Sequence, residues 1–144
     1  MGGKFPNLIE FETEQEYKEL FISEYIEKEF KTHDGIIIKV QEGHFEHIFY
    51  RDKGTPNVYF DKWLARRILF LRPIVENVTG NIEIYDGPNF KSKRDERSYI
   101  YVYGKICIFL GKMGNGNFFP ITAYQKNNKE LERIRKSKNI KRIV

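Results

Sequence analysis

An α+β domain with helices in the first half and an antiparallel sheet in the second is the fold this sequence predicts. Three observations lead there. Apolar residues recur at helical spacing near the start, short alternating runs separated by turn residues fill the region from 81 to 124, and the 144-residue length suits a single core. The expected architecture is N-terminal helices packed on a four- to five-stranded antiparallel sheet. It divides into an acidic helix at 13–31, a central core at 36–126 and a basic segment at 127–144, all within one domain spanning 1–144.

The first helix rests on Tyr17, Leu20, Phe21, Tyr25, Ile26 and Phe30, which fall on one face at spacings of three and four. Thr13 followed by Glu16 forms a capping box, and His33-Asp34-Gly35 is expected to end the helix. Residues 36–40, Ile-Ile-Ile-Lys-Val, then form a buried strand. A second helix over 60–77 carries Trp63, Leu64, Ile68, Leu71, Ile74 and Val75 inward, with Pro73 as a kink or a break into two helices.

Four strands follow in the runs 81–85, 98–103, 105–110 and 118–124. Turns are expected at Asp86-Gly87-Pro88-Asn89 and Met113-Gly114-Asn115-Gly116-Asn117, and an exposed basic loop at 91–97. The last segment is polar and basic, with a short helix over 129–136. Neither an internal repeat nor a low-complexity stretch is present.

The net charge of +5 is unevenly placed: residues 1–34 hold four Lys/Arg against nine Asp/Glu, residues 35–125 thirteen against nine, and residues 126–144 eight against two. Basic surfaces of this kind suit phosphate polyanions, because cations that neutralise phosphates release condensed counterions. Solubility is the competing explanation. A lone cysteine, Cys107, sits in an apolar run and is expected to be a buried thiol rather than a nucleophile. No run approaches the ~18 apolar residues of a membrane span, no signal-peptide core is visible, and the expected compartment is the cytoplasm.

Chemistry is concentrated in Gly43-His44-Phe45-Glu46-His47. A three-residue spacing puts both imidazoles on one face if the segment is helical and on opposite faces if it is a strand. Imidazoles titrate near neutrality, so His44 and His47 can supply a proton donor and acceptor to one reaction, or one can pack locally while the other is exposed. Two histidines without a third His or a Cys cluster make a poor zinc site, so no metal is expected. Walker, dinucleotide-binding, nucleophile-elbow and CxxC patterns are absent, and no cofactor is expected.

In the last strand Thr122 and Tyr124 share a face by period two, opposite Ile121 and Ala123. Thr122 can hold a phosphate oxygen and Tyr124 can stack on a base, although both are also ordinary strand formers. Arg66 and Arg67, in the second helix, suit phosphate contact or a surface ion pair; Lys105 and Lys112 flank the third strand and can add charge at its ends. Tyr99, Tyr101 and Tyr103 share a strand face as a stacking platform or as core, with packing favoured for at least two of them.

A His pair in the first half, an Arg-bearing helix, and a four-strand meander ending in Ile121-Thr122-Ala123-Tyr124 together resemble the barnase/EndoU/colicin/RelE-like (BECR-fold) ribonuclease superfamily. The similarity is strongest to its phage-associated branch and spans roughly 36–126. It implies metal-independent RNA cleavage by 2'-OH attack to a 2',3'-cyclic phosphate, with His44 and His47 as acid and base candidates. It further implies that Arg66 or Arg67 steadies the phosphorane, that Thr122 and Tyr124 position the phosphate, and that Lys105 or Lys112 is a third member. RNA would be the substrate, a toxin role is compatible, and an inhibitor protein is a possible partner. The barnase-type late histidine acid has no counterpart here, since the last histidine is His47. A non-catalytic nucleic-acid- or protein-binding domain, and an accessory phage protein, are the alternatives.

Overall fold

In the computed structural model, which describes residues 6–78, 80–88, 97–113, 116–137 and 140–144, the chain is an α+β protein. Five strands form one antiparallel sheet in the order β6-β5-β4-β3-β7: β3 (Glu83–Pro88), β4 (Arg97–Tyr103), β5 (Ile106–Lys112), β6 (Phe118–Gln125) and β7 (Lys141–Arg142). The first four are a meander, as their alternating composition predicts. A short hairpin of β1 (Tyr50–Arg51) and β2 (Tyr59–Phe60) stands apart.

One sheet face carries the large core. Helix α1 (Glu14–Phe21), capped by Thr13, buries Tyr17 and Phe21 there, and α2 (His44–Phe49) buries Phe45, Ile48 and Phe49. Helices α3 (Lys62–Ala65) and α4 (Leu71–Val75) add Leu64, Ala65, Leu71, Ile74 and Val75. Aromatic rings supply much of this volume: Phe21 meets Phe45 and Phe49 edge-on at centroid separations of 5.6 and 6.0 Å, a geometry favoured by the ring quadrupoles. The opposite face is covered by α5 (Asn128–Lys136), whose Leu131 and Ile134 pack with Tyr85, Ile100, Val102 and Cys107 into a second cluster. The basic tail is therefore an integral layer of the fold.

Several sequence expectations need correction. The first helix stops well before residue 31: after Phe21 it widens into a π-helical turn, Ile22–Ile26, in which the Glu27 amide donates to the Ile22 carbonyl at 2.9 Å. Arg72 causes much of this ending. Its guanidinium donates to the main-chain carbonyls of Glu24 and Glu29, pairs with Glu76 and lies over the rings of Tyr25 and Phe30, so helix-end carbonyls find a charged side chain instead of further helix. His33-Asp34-Gly35 consequently forms a turn between extended segments, with Gly35 at φ +83°.

Residues 36–40 are not a regular strand. They make isolated bridges, Ile37 with Lys31 and Ile38 with Phe118, and only Ile38 is buried. The second helix breaks at Arg66 and Arg67 rather than at Pro73, giving α3, a 3-10 turn (Ile68–Phe70) and α4. Pro73 sits in the first turn of α4, where a missing amide proton costs no helical bond. Asp86, Gly87 and Pro88 extend β3 opposite Tyr99, Ser98 and Arg97 instead of turning, while Asn89 and most of the expected loop at 91–97 lie outside the described residues. Gly114 and Asn115 of the second expected turn also lie outside them.

Tyr101 is completely buried, and Tyr99 and Tyr103 pack against the large core, so the tyrosine row is chiefly core. Cys107 is buried in the second cluster, which pushes its thiol pKa up to about 12. Among the described residues no helix is long and apolar enough to cross a membrane.

Candidate functional site

Helix α2 begins where the amides of His44 and Phe45 turn back onto the carbonyls of Gln41 and Glu42. Phe45, Ile48 and Phe49 point into the core, so helical periodicity sends His44, Glu46 and His47 outward. The two imidazoles share one turn with ring centroids 6.2 Å apart. His44 is half-buried, stacked at 6.4 Å on Phe119 of β6, and its Nδ1 accepts a 2.9 Å hydrogen bond from the Gln41 amide. That bond places the proton of the neutral ring on Nε2. Burial, reinforced by the neighbouring charge of His47, holds the His44 pKa below its ordinary value. His47 is exposed.

Thr122 meets this helix from below. Its side chain is almost fully buried, and its hydroxyl donates to the His47 carbonyl at 3.1 Å. Thr122 and Tyr124 occupy β6 register positions opposite Phe109 and Cys107, and the register slip between Phe109 and Leu110 leaves Ile121 as the surplus residue. Tyr124 stacks on Phe109 with ring centroids 5.6 Å apart, and the Lys126 ammonium lies 4.0 Å from its ring centre.

The remaining cationic candidates are dispersed. Arg66 forms an ion pair with Glu10 at 3.0 Å, its Nε lacking a partner. Arg67 lies 3.9 Å from the Trp63 ring centre and donates to the Trp63 carbonyl, so the hydrogen bonds and ion pairs of both guanidiniums are made away from α2 and β6. Lys105 sits in the β4–β5 turn. Lys112 lies at the far end of β5 opposite Phe118, next in chain order to the Phe119 ring that backs His44. Of the four, Lys112 is the one at the histidine end of the β5–β6 pair.

Two groups escaped the sequence reading. Arg51, just past α2, pairs with Asp61 at 2.9 Å, donates to the Ala123 carbonyl of β6 and sits 5.5 Å from the Tyr124 ring centre, which ties the end of the helix to the strand. The second is a polar cluster at the 32–34 turn. His33 Nδ1 lies 2.9 Å from the Tyr101 hydroxyl, Tyr99 donates to Asp34 at 2.7 Å, and Thr32 donates to the other Asp34 oxygen. Burial lowers the His33 pKa, against the opposing pull of Asp34. Burial alone would raise the Asp34 pKa, but the hydrogen bonds from Thr32 and Tyr99 and the nearby imidazole outweigh it and hold it low. Partners 65 and more residues apart leave no local signal of such a cluster.

Among the described residues no group of three or more His, Cys, Asp or Glu side chains is arranged to hold a metal ion. No family model matches the chain, and neither a curated protein nor a solved structure matches it.

Proposed function

We propose that the chain is a metal-independent endoribonuclease whose reaction centre is formed by His44 and His47. The observation that carries this reading is the pairing of two imidazoles on one outward-facing turn, with ring centroids 6.2 Å apart. That separation lets each ring reach a different oxygen of one phosphate, as in-line displacement needs.

His47 takes the proton of the ribose 2'-OH as its oxygen forms a bond to phosphorus, while the Nε2–H of His44, the tautomer fixed by the Gln41 amide, donates a hydrogen bond to the phosphate. The departing 5'-oxygen takes a proton from water as that P–O bond breaks, leaving a 2',3'-cyclic phosphate and a free 5'-OH. Thr122 acts as a positioning residue, anchoring the backbone that bears His47. Lys112 is the candidate cation for the phosphorane, in place of Arg66 and Arg67. The resemblance to the phage-associated branch supports the same reading, and with it a toxin role restrained by an inhibitor protein.

The test is incubation of several RNA types with purified protein in EDTA, with the 3' ends of the products analysed. Cyclic phosphate products that disappear in His44→Ala and His47→Ala, with the circular dichroism spectrum unchanged, are expected. RNA left intact by the wild-type protein across all substrates overturns the proposal.

A further inference from the structure

A second hollow lies on the other face of the sheet, between β5, β6 and α5. It has a volume of about 360 Å³, within the roughly 300–1,000 Å³ typical of small-ligand pockets. Its two halves differ in chemistry. Phe109, Ile134 and Ile140 give it an apolar wall, continued by the Tyr124 ring stacked on Phe109. Lys126 and Arg133 give it a cationic rim.

The state of those cations is informative. The Lys126 ammonium is 3.1 Å from Glu130, 4.0 Å from the Tyr124 ring centre and 5.7 Å from that of Phe109, a cation held over the aromatic floor by a single carboxylate. Its side chain is mostly buried, 12% exposed, so the charge is kept inside the hollow rather than in bulk solvent. Arg133 has no ion pair among the described residues, although its neighbour Arg135, on the same helix, is bound to both oxygens of Glu83. An apolar aromatic wall beside a mostly buried ammonium and a guanidinium with no ion pair among the described residues complements a planar base joined to a phosphate.

We infer that this hollow is a nucleotide-binding pocket, taking the base against Phe109 and the Ile134–Ile140 wall and the phosphate between Lys126 and Arg133. Stacking of bases on aromatic side chains contributes on the order of 1–3 kcal/mol per base. A phosphate displaces Glu130 from Lys126 and gains Arg133 as a second partner. The hollow lies on the α5 face, whereas the histidine helix packs with the large core, so the pocket stands independently of the ribonuclease reading.

Binding of two probes tests it: free AMP, and a short fluorescein-labelled single-stranded oligodeoxynucleotide, which lacks the 2'-OH and cannot be cleaved by the proposed route. Fluorescence anisotropy follows the oligomer directly and AMP by competition, while 15N-labelled protein reports AMP contacts at Lys126, Arg133 and Ile134. The double variant Lys126→Gln/Arg133→Gln is expected to bind the oligomer at least tenfold more weakly, with a shallower salt dependence, and to retain its fold. Phe109→Leu should weaken binding several-fold while leaving the salt dependence unchanged.

Competition by AMP together with shifts at those three residues supports a free-nucleotide site; oligomer binding without AMP competition, still lost in the double variant, supports an RNA-strand subsite. Affinity for both probes unchanged in a folded double variant, or no binding by the wild-type protein, overturns the pocket. His44→Ala/His47→Ala protein should bind as tightly as wild type. Cleavage without pocket binding would therefore remove only the pocket, and binding without cleavage only the nuclease.

Discussion

The hydroxyl of Thr122 donates to the main-chain carbonyl of His47 across 3.1 Å, joining the last meander strand to the helix that carries both outward imidazoles. Because that hydroxyl is nearly inaccessible, its effect on any chemistry is exerted through the position of His47. Replacing Thr122 with Val keeps the shape and leaves the carbonyl without this partner. The expected cost is about 1–2 kcal/mol of stability by urea unfolding. The RNA cleavage of the proposed function should lose kcat with little change in KM, and Thr122→Ser should restore it.

Both His33 and His44 hold pKa values below the ordinary 6.5, chiefly because burial disfavours their charged forms. As pH falls through that value the unfolded chain binds protons that the folded chain refuses, so stability is fully present above it and declines below it. Urea midpoints are expected to drop between about pH 7.5 and pH 5.5, above the range where carboxylates titrate. His33→Gln and His44→Gln should each flatten the profile. A wild-type midpoint independent of pH across this window would contradict the burial assigned to the two rings.

His44 offers a sharper readout, since part of its depression comes from His47. In His47→Ala the repulsion disappears and the His44 pKa, followed by NMR of its ring protons, should rise toward the ordinary value. An unmoved titration would mean that the two imidazoles do not sense one another.

Arg72 binds the carbonyls of Glu24 and Glu29, the Glu76 carboxylate and the faces of two aromatic rings. Arg72→Met keeps an apolar stem but leaves helix-end carbonyls unpaired, at a cost of about 3 kcal/mol. Arg72→Lys should recover little, because an ammonium has no planar fork for two carbonyls. Equal stability of the two variants, each well below wild type, is the expected result by chemical denaturation.

In the second cluster, Leu131→Ala should cost about 2–4 kcal/mol, the range for truncating a buried Leu. Deleting 126–144 should expose Tyr85, Ile100 and Val102 and leave an insoluble or molten chain. A well-folded truncated protein would refute the role of α5 as a structural layer.

These contacts explain what was legible in the sequence. The meander was, because its runs alternate and its turn residues are distinctive; so was the burial of Cys107, whereas the His44–His47 spacing left helix and strand open until the burial of Phe45, Ile48 and Phe49 made the segment a helix. Periodicity failed where a distant side chain took over. Nothing near Phe30 announces that Arg72 will bind the carbonyls before it, so 13–31 reads as one helix. Residues 36–40 read as a strand because they are apolar, yet they find only isolated bridges. The helix at 60–77 breaks at two arginines that are good helix formers, one drawn onto Trp63 and the other toward Glu10. At the site, the imidazole pairing was written locally, whereas the Arg51 link to Ala123 and the His33–Tyr101 contact depend on pairs 72 and 68 residues apart.

The surplus residue Ile121 decides what the end of β6 can do. Were it paired like its neighbours, Tyr124 would stand opposite Ile106 in the large core and Ala123 opposite Cys107 on the α5 face. Absorbing one residue shifts the phase, so a strand that begins by walling the core with Phe118 finishes by presenting a phenol outside it. A deletion of Ile121 would remove the surplus and leave Tyr124 opposite Cys107.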